Sequence, residues 1–394
     1  MTTFIKSKSR QGFLLGFSRI FVGVLFIFSG LIKANDPLGF SYKLEEYFEV
    51  FHTTFLNHYS VAFSITLCAF EIILGAALLI GYRAVATSWG LLLLIIFFSF
   101  LTFWSAAFDV VRSCGCFGDA IPLTPWQSFG KDVVLLLLIL VIFFHRRAIR
   151  PVCKKESVMN NAFLIVVILS FAVGVYTYNY LPVIDFLPYH KGANIPRYMS
   201  IPKGAPLDVY EITYRLRNKK TGESKKMTDK EYLKSEIWKD ENWEIVGEPE
   251  SRLIKKGYEP RIRDLQITDA QGTDYTHELI ENPYYNLVIV AYDLDHANIR
   301  AIGELNALAI NAAENFNLRT VLLTSSSARQ AEDFSKEHRL VMEIFYADAV
   351  PLKSMVRANP GLLLLKNGVV VNKWHFHSLP SYQQLEDNYF RKDQ

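Results

Sequence analysis

The sequence predicts an all-α membrane part with five spanning helices, followed by a β-rich segment and an α/β domain. Three observations carry this. Apolar stretches near the roughly 20 residues that a bilayer-crossing helix needs run at about 12–32, 60–80, 85–108, 129–145 and 160–180. Beyond about residue 180, charged, turn-forming and strand-like segments alternate as they do in soluble domains. From about residue 262, strands alternate with helices and the pattern closes in a hairpin. A length of 394 residues allows two or three domains, read as 1–150, 151–181, 182–261 and 262–394 if the fifth span is counted separately. The net charge of +3 and the lack of a Lys/Arg stripe with interleaved aromatics argue against nucleic acid as a partner.

The first apolar stretch follows Lys6, Lys8 and Arg10 and lacks a convincing small-x-small cleavage site, so it reads as an uncleaved signal anchor. Five alternating spans place that basic tail, the turn at Arg83 and "HRRAIRPVCKKES" (145–157) on one side, which the distribution of Lys and Arg makes cytoplasmic. The periplasmic side of a bacterial inner membrane then receives residues 33–59, 109–128 and everything after 181. Lys33, Lys43 and Arg112 stand against a strict rule, but they are few and lie close to acidic residues.

The loop before the fourth span, "RSCGCFGDAIPLTPW" (112–126), sets Cys114 and Cys116 one residue apart. Disulfides persist on that side, whereas Cys153 falls in the reducing compartment and Cys68 inside a helix. Gly115 supplies the unusual backbone angles that so small a ring demands. A ring of that size departs from relaxed disulfide geometry, so it should be strained and easily reduced. Thr124 as N-cap, Pro125 at the first helical position and Gln127 completing a capping box start the fourth span almost at the loop. Its positive dipole end and Arg112 favour a thiolate, while Asp109 and Asp119 oppose one. Redox activity, a static loop clip and a partial metal site remain alternatives; no third or fourth metal ligand is evident nearby, and no metal residue is assigned.

Glu71, inside "LCAFEIILGAALL", is expensive in hydrocarbon and is therefore a functional candidate facing the bundle interior or a wet cavity. Lys33, Asn35 and Asp36 are expected to form a polar cap at the end of the first span. Lys131 and Asp132, one turn into the fourth span, would pair locally or orient an acceptor ring. Trp104 and Trp126 suit an interfacial belt, and Cys68 a small buried apolar position.

In the second half, 208–228 alternates like a hairpin turning at Lys219 to Gly222, and "DKEYLKSEIWKDE" reads as a short amphipathic helix. Strands are expected at "RIRDLQI", "NLVIVAYDL", "RTVLLTS" and "LVMEIFY", with helices across 296–316, 327–338 and 380–390. "RANPGLLLLKNGVVVNKWH" (357–375) supplies two strands about a Lys-Asn-Gly turn. Strand alternation puts the two histidines of "WHFH" (374–377) forward as an exposed pair, and His296 as a solvated capping residue.

Through "RIFVGVLFIFSGLIKANDP" (19–37) and "SCGCFGDAIPLTPWQSFGKD" (113–132), residues 12–148 resemble the DoxX-like membrane family and its MauE-like redox-associated branch. The resemblance implies a four-helix bundle similar to that of vitamin K epoxide reductase. It also implies disulfide or sulfur chemistry beside thioredoxin-like partners, with electrons passing between a periplasmic dithiol and a membrane acceptor such as a quinone. CxC stands here in place of that reductase's CxxC.

Residues 262–392 resemble the thioredoxin fold, which implies that Pro360 is cis and borders a cleft with Asn359. The expected CxxC is replaced by "DLDHAN" (293–298), and no cysteine follows Cys153, so this domain would bind without dithiol chemistry. The expected function is thiol/disulfide electron transfer through Cys114 and Cys116, supported by Gly115, Arg112, Thr124, Glu71, Lys131 and Asp132. A periplasmic thiol protein or peptide would be held at Asn359 and Pro360, with membrane lipid as the other partner. The alternative is a noncatalytic envelope scaffold or complex subunit with a structural clip.

Overall fold

The computed structural model describes residues 2–108, 110–111 and 117–391, with side chains from residue 12 onward. Asp109, Arg112, Cys114, Gly115 and Cys116 lie outside the described residues. The first half holds α1 (Thr2–Asn35), α2 (Pro37–Val50), α3 (Ser60–Ile80), α4 (Ala84–Phe108), α5 (Pro125–Phe144) and α6 (Glu156–Asn179). The chain is a membrane protein, and among the described residues five helical stretches are long and apolar enough to span: Gly12–Asn35, Thr54–Ile80, Ala84–Phe108, Pro125–Phe144 and Glu156–Asn179.

Within the bundle α1 packs along α3, α4 along α5, and α6 against α3. Val22, Phe26, Leu78, Leu91, Ile95, Ile139 and Ile142 fill the interior, while Leu93, Ile96, Leu137 and Ile168 point outward. Packing between helices in lipid depends on close approach, and α1 and α3 achieve it through paired glycines. A Cβ on Gly75 would sit 2.7 Å from the carbonyl oxygen of Gly23. Gly75→Val is therefore expected to force these helices apart at a cost of about 1–3 kcal/mol or more, read as a lower unfolding midpoint in detergent.

The connection after α1, for which the sequence reading named no element, contains α2. Asp36 caps it by accepting the Gly39 N–H at 2.9 Å, and Pro37 occupies the first turn. The expected capping box of α5 is present: Gln127 Oε1 accepts the Thr124 N–H at 3.0 Å and Thr124 Oγ1 accepts the Gln127 N–H at 3.3 Å.

Residues 194–265 form a separate compact unit. It contains α7 (Ile195–Met199), β1 (Val209–Asn218), β2 (Ser224–Thr228), α8 (Asp229–Ser235), β3 (Trp243–Ile245) and β4 (Glu250–Lys255). β1 pairs antiparallel with each of the other three strands. The β1–β2 turn forms where expected, with the Asn218 side chain accepting the N–H groups of Lys220 and Thr221 and Gly222 at φ 73°.

Residues 266–394 belong to the same compact unit as residues 1–193. Their elements are α9 (Thr276–Ile280), β5 (Tyr285–Val290), α10 (Ile299–Phe316), β6 (Arg319–Thr324), α11 (Ala328–His338), β7 (Glu343–Tyr346), α12 (Ala349–Met355), β8 (Gly361–Lys366), β9 (Val369–His375) and α13 (Tyr382–Leu385). The sheet order is β7-β6-β5-β8-β9, with β5, β6 and β7 parallel and β8 and β9 antiparallel additions. The Asn359–Pro360 peptide bond is cis.

Two expectations need correction. "RIRDLQI" forms no strand; pairing starts only at Thr268, which exchanges backbone hydrogen bonds with Tyr346 at 2.9 and 2.8 Å. The histidines of "WHFH" are not an exposed pair: His375 is buried and His377 exposed. β9 ends at His375 and the chain enters a 3₁₀ turn over Phe376–Ser378, so strand alternation stops between the two.

Candidate functional site

The two ends of the cysteine segment are fixed in the bundle. Val111 is fully buried and its carbonyl accepts the Ser105 hydroxyl at 2.5 Å. Phe117 is buried against Phe28, with ring centroids 5.8 Å apart. Both flanks of residues 112–116 therefore lie at the end of the bundle where α1 stops and α5 begins, here termed the mouth.

Beneath the mouth, Lys33 and Glu71 form an ion pair with both side chains almost completely buried. The Lys33 ammonium also stands 4.6 Å from the Phe98 ring centroid and 5.2 Å from that of Phe40. Sequence reasoning placed Lys33 in a terminal polar cap. Instead it turns into the bundle, because Glu71 offers the compensation that a buried ammonium requires. Glu71 thus faces the interior, as a carboxylate in an apolar helix must.

Lys131 pairs with Asp132 at 2.5 Å, Asp132 accepts the Thr102 hydroxyl at 3.0 Å, and the Lys131 ammonium lies 5.4 Å from the Phe117 centroid. The two ion pairs line one internal cavity of about 20 Å³, room for a single water. Asn35 caps the mouth differently: its side chain donates to the Ile184 carbonyl at 2.7 Å and accepts the Ile184 N–H at 3.0 Å.

Above the mouth lies a cleft of about 500 Å³, lined by Tyr42, Phe117, Asp119, Ile184, Lys353 and Arg357 among others. Arg357, from the segment between α12 and β8, is buried and bridges the cleft walls. Its Nε lies 3.0 and 2.9 Å from the two Asp36 oxygens, Nη1 donates to the Lys353 carbonyl at 2.6 Å, and Nη2 lies 3.4 Å from Asp119 Oδ2. Burial works against its charge, but Asp36, Tyr42 and Asp119 more than offset that and raise its affinity for the proton. Tyr42 lies between two cations, with the Lys353 ammonium 4.3 Å and the Arg357 guanidinium carbon 5.5 Å from its ring centroid. The Tyr42 and Tyr292 hydroxyls meet at 3.1 Å. Burial and then Tyr292 push the Tyr42 phenol well above its ordinary value.

Two further contacts seat the C-terminal domain beside the end of α6. Lys373 pairs with Asp185 and donates to the Met355 carbonyl at 3.2 Å; burial lowers the lysine's proton affinity and Asp185 opposes the fall. His377 Nδ1 contacts the Asn179 carbonyl at 2.8 Å. His375 is pushed down to about 4 by burial and then by His377. Its folded form is therefore neutral, and the stability this gives is present above the unfolded value of about 6.5 and lost as pH falls through about 4. The thermal midpoint should drop between pH 7 and 4.5, and His375→Gln should shrink that drop.

At the expected docking position, Asn359 donates its side-chain N–H to the Asp293 carbonyl at 2.6 Å, its own carbonyl accepts the Asn298 N–H at 3.1 Å, and Pro360 is buried. His296 is exposed beside Asp293 at 2.8 Å, and Asn298 is the residue that caps α10. Cys68 is fully buried and carries a free thiol. Among the described residues no group of three or more His, Cys, Asp or Glu could hold a metal ion.

Sequence reasoning missed Arg357, Tyr42, Tyr292 and the Asp185–Lys373 pair. Asp36 and Arg357 stand 321 positions apart, so no local pattern could have joined them.

Residues 11–145 match the family model of the methylamine utilisation protein MauE, over about a third of the chain. No curated protein and no solved structure matches the chain. The likeness spans α1 to α5 and includes the cysteine segment and both buried ion pairs.

Proposed function

We propose that the protein is an inner-membrane thiol/disulfide carrier whose Cys114 and Cys116 exchange electrons with a thiol-bearing client on the periplasmic side. The observation that carries this is the placement of both flanks of the pair, Val111 and Phe117, at a bundle mouth that opens on a cleft of about 500 Å³. The similarity to a methylamine utilisation protein over residues 11–145 supports a role in maturing or serving an envelope redox system.

In the exchange, a client thiolate attacks one sulfur of the Cys114–Cys116 disulfide and expels the other as thiolate. The second client thiolate then resolves the mixed disulfide, leaving an oxidised client and a reduced pair. Two electrons enter the pair, and a membrane carrier must remove them. A quinone is the acceptor class suggested by the family resemblance, but the water-sized cavity between the buried ion pairs has no room for its ring.

The C-terminal domain is read as a thioredoxin-like module that has lost its cysteines and holds the client at the mouth, near Asn359 and Pro360. Its parallel β5–β6–β7 core with antiparallel β8 and β9, and its cis proline before β8, support that reading. One chain carrying both modules raises the client's effective concentration at the pair.

Trapping the thiol state of Cys114 and Cys116 in cells, with and without an envelope oxidant or reductant, tests the assignment. The pair should interconvert, and an impermeant thiol reagent should reach its reduced form from outside while sparing Cys153. A pair that stays oxidised under both conditions would instead make the protein an envelope scaffold with a static clip. Labelling of Cys153 in intact spheroplasts would overturn the orientation.

A further inference from the structure

We propose that the cleft of about 500 Å³ is a groove for an extended, basic stretch of polypeptide, with the glutamates of α2 as its selecting wall. Reading that polypeptide as part of the thiol-bearing client rests on the function proposed above; the preference for a basic chain rests on the groove itself.

The shape comes first. Asp36, Gly39, Lys43, Glu46 and Glu49 follow one another at intervals of three or four, so they form one stripe along α2, and all of them line the cleft. At 1.5 Å per residue the stripe runs about 20 Å, the length of roughly six residues of extended chain. The lining continues through Ile121 and, on α12, Val350, two apolar side chains left open to solvent.

The charge comes second. Carboxylates outnumber cations six to four among the residues that line the cleft. Asp36 and Asp119 share Arg357, Asp185 takes Lys373, and Glu46 takes Lys43 at 2.6 Å. Glu45 accepts the Ser60 hydroxyl at 2.7 Å, and among the described residues neither it nor Glu49 forms an ion pair. The Lys353 ammonium stands over the Tyr42 and Tyr292 rings, 4.3 and 5.6 Å from their centroids. The surplus is therefore negative, and it falls at the Glu45–Glu49 end of the stripe.

A third observation is independent of charge. Ser128 lines the cleft from the start of α5 and is fully buried, and its hydroxyl has no hydrogen-bond partner among the described residues. A buried hydroxyl left without a partner is costly, and an extended backbone brings carbonyl groups that accept its proton. A small amine would answer the glutamates alone. A basic peptide answers the glutamates, the open apolar side chains and Ser128 together.

The test uses the full chain in phosphatidylcholine nanodiscs and reads fluorescence anisotropy, with empty nanodiscs subtracting binding to lipid. The probes are a dye-labelled, cysteine-free hexapeptide that alternates leucine with lysine, and its counterpart with glutamate for lysine. The lysine peptide should bind and the glutamate peptide should not. Glu46→Gln combined with Glu49→Gln should weaken binding roughly tenfold, the scale of two exposed charge contacts, and Glu49→Lys alone should weaken it similarly. Ser128→Ala should weaken it about threefold. Glu223→Gln combined with Glu241→Gln, exposed carboxylates outside the cleft, should leave binding unchanged. A benzophenone side chain placed at Val350, 76% exposed within the cleft, should capture the lysine peptide, and one at Tyr284, 75% exposed outside it, should not.

Equal binding of the two peptides, or wild-type affinity in both α2 variants, would overturn the proposal. So would competition by lysine amide at the peptide's own affinity, which would make the cleft a small-amine site. Because the probes carry no thiol, the result stands whether or not Cys114 and Cys116 exchange electrons, and its failure leaves the thiol-trapping experiment to decide the function.

Discussion

Glu71→Gln is expected to destabilise the bundle by about 3–5 kcal/mol, the cost of leaving a buried charge without its partner. Lys33 is only 4% exposed, and the aromatic faces of Phe98 and Phe40 beside it cannot replace a carboxylate. Lys33→Met should cost a similar amount by stranding Glu71. Combining Lys33→Met with Glu71→Leu should recover most of the loss, because two apolar side chains need no compensation.

Unfolding of the purified protein in detergent, analysed as a double-mutant cycle, measures all three. Near-additive single effects would show that the two side chains are not coupled as an ion pair. The double variant also separates folding from function. If it folds but loses the thiol–disulfide interconversion proposed for Cys114 and Cys116, the Lys33–Glu71 pair contributes to electron or proton movement as well as to stability.

Asp36→Asn is expected to cost about 3 kcal/mol in the seating of the C-terminal domain while leaving α2 intact. Asparagine caps a helix about as well as aspartate, so the contact with the Gly39 N–H survives. What is lost is the negative partner of Arg357, whose side chain is 6% exposed. Asp36→Ala removes the cap as well, adding about 1 kcal/mol and fraying the start of α2. Hydrogen exchange over residues 37–41 and over β8 should separate the effects: asparagine should loosen β8 alone, alanine both. Wild-type protection of β8 in the asparagine variant would show that Tyr42–Tyr292 and Lys373–Asp185 suffice to seat the domain.

Much of the chain was legible locally. The capping box at Thr124 and Gln127, the Asn367–Gly368 turn between β8 and β9, and the amphipathic face of α10 each depend on residues within a few positions of one another. α2 carries the same kind of signal in Asp36 and Pro37, but its short, weakly apolar sequence stands between two much stronger apolar spans. "RIRDLQI" misled because its β-favouring residues meet no partner strand before Thr268, and strand formation needs a ladder to join. "WHFH" misled because a period of two holds only while the strand lasts.

The sequence by itself determined five membrane-length helices, the placing of two cysteines immediately before α5, and the βα alternation that closes in a hairpin. These follow from hydrophobic runs, caps and turns, which act over one or two helical turns of chain. Only the tertiary structure decided that Lys33 turns inward to Glu71, that Arg357 reaches Asp36 and Asp119, and that Lys373 meets Asp185. The physical reason is that a buried charge takes whichever opposite charge the fold brings to it. That choice is made between helices and domains, where distance along the chain carries no information.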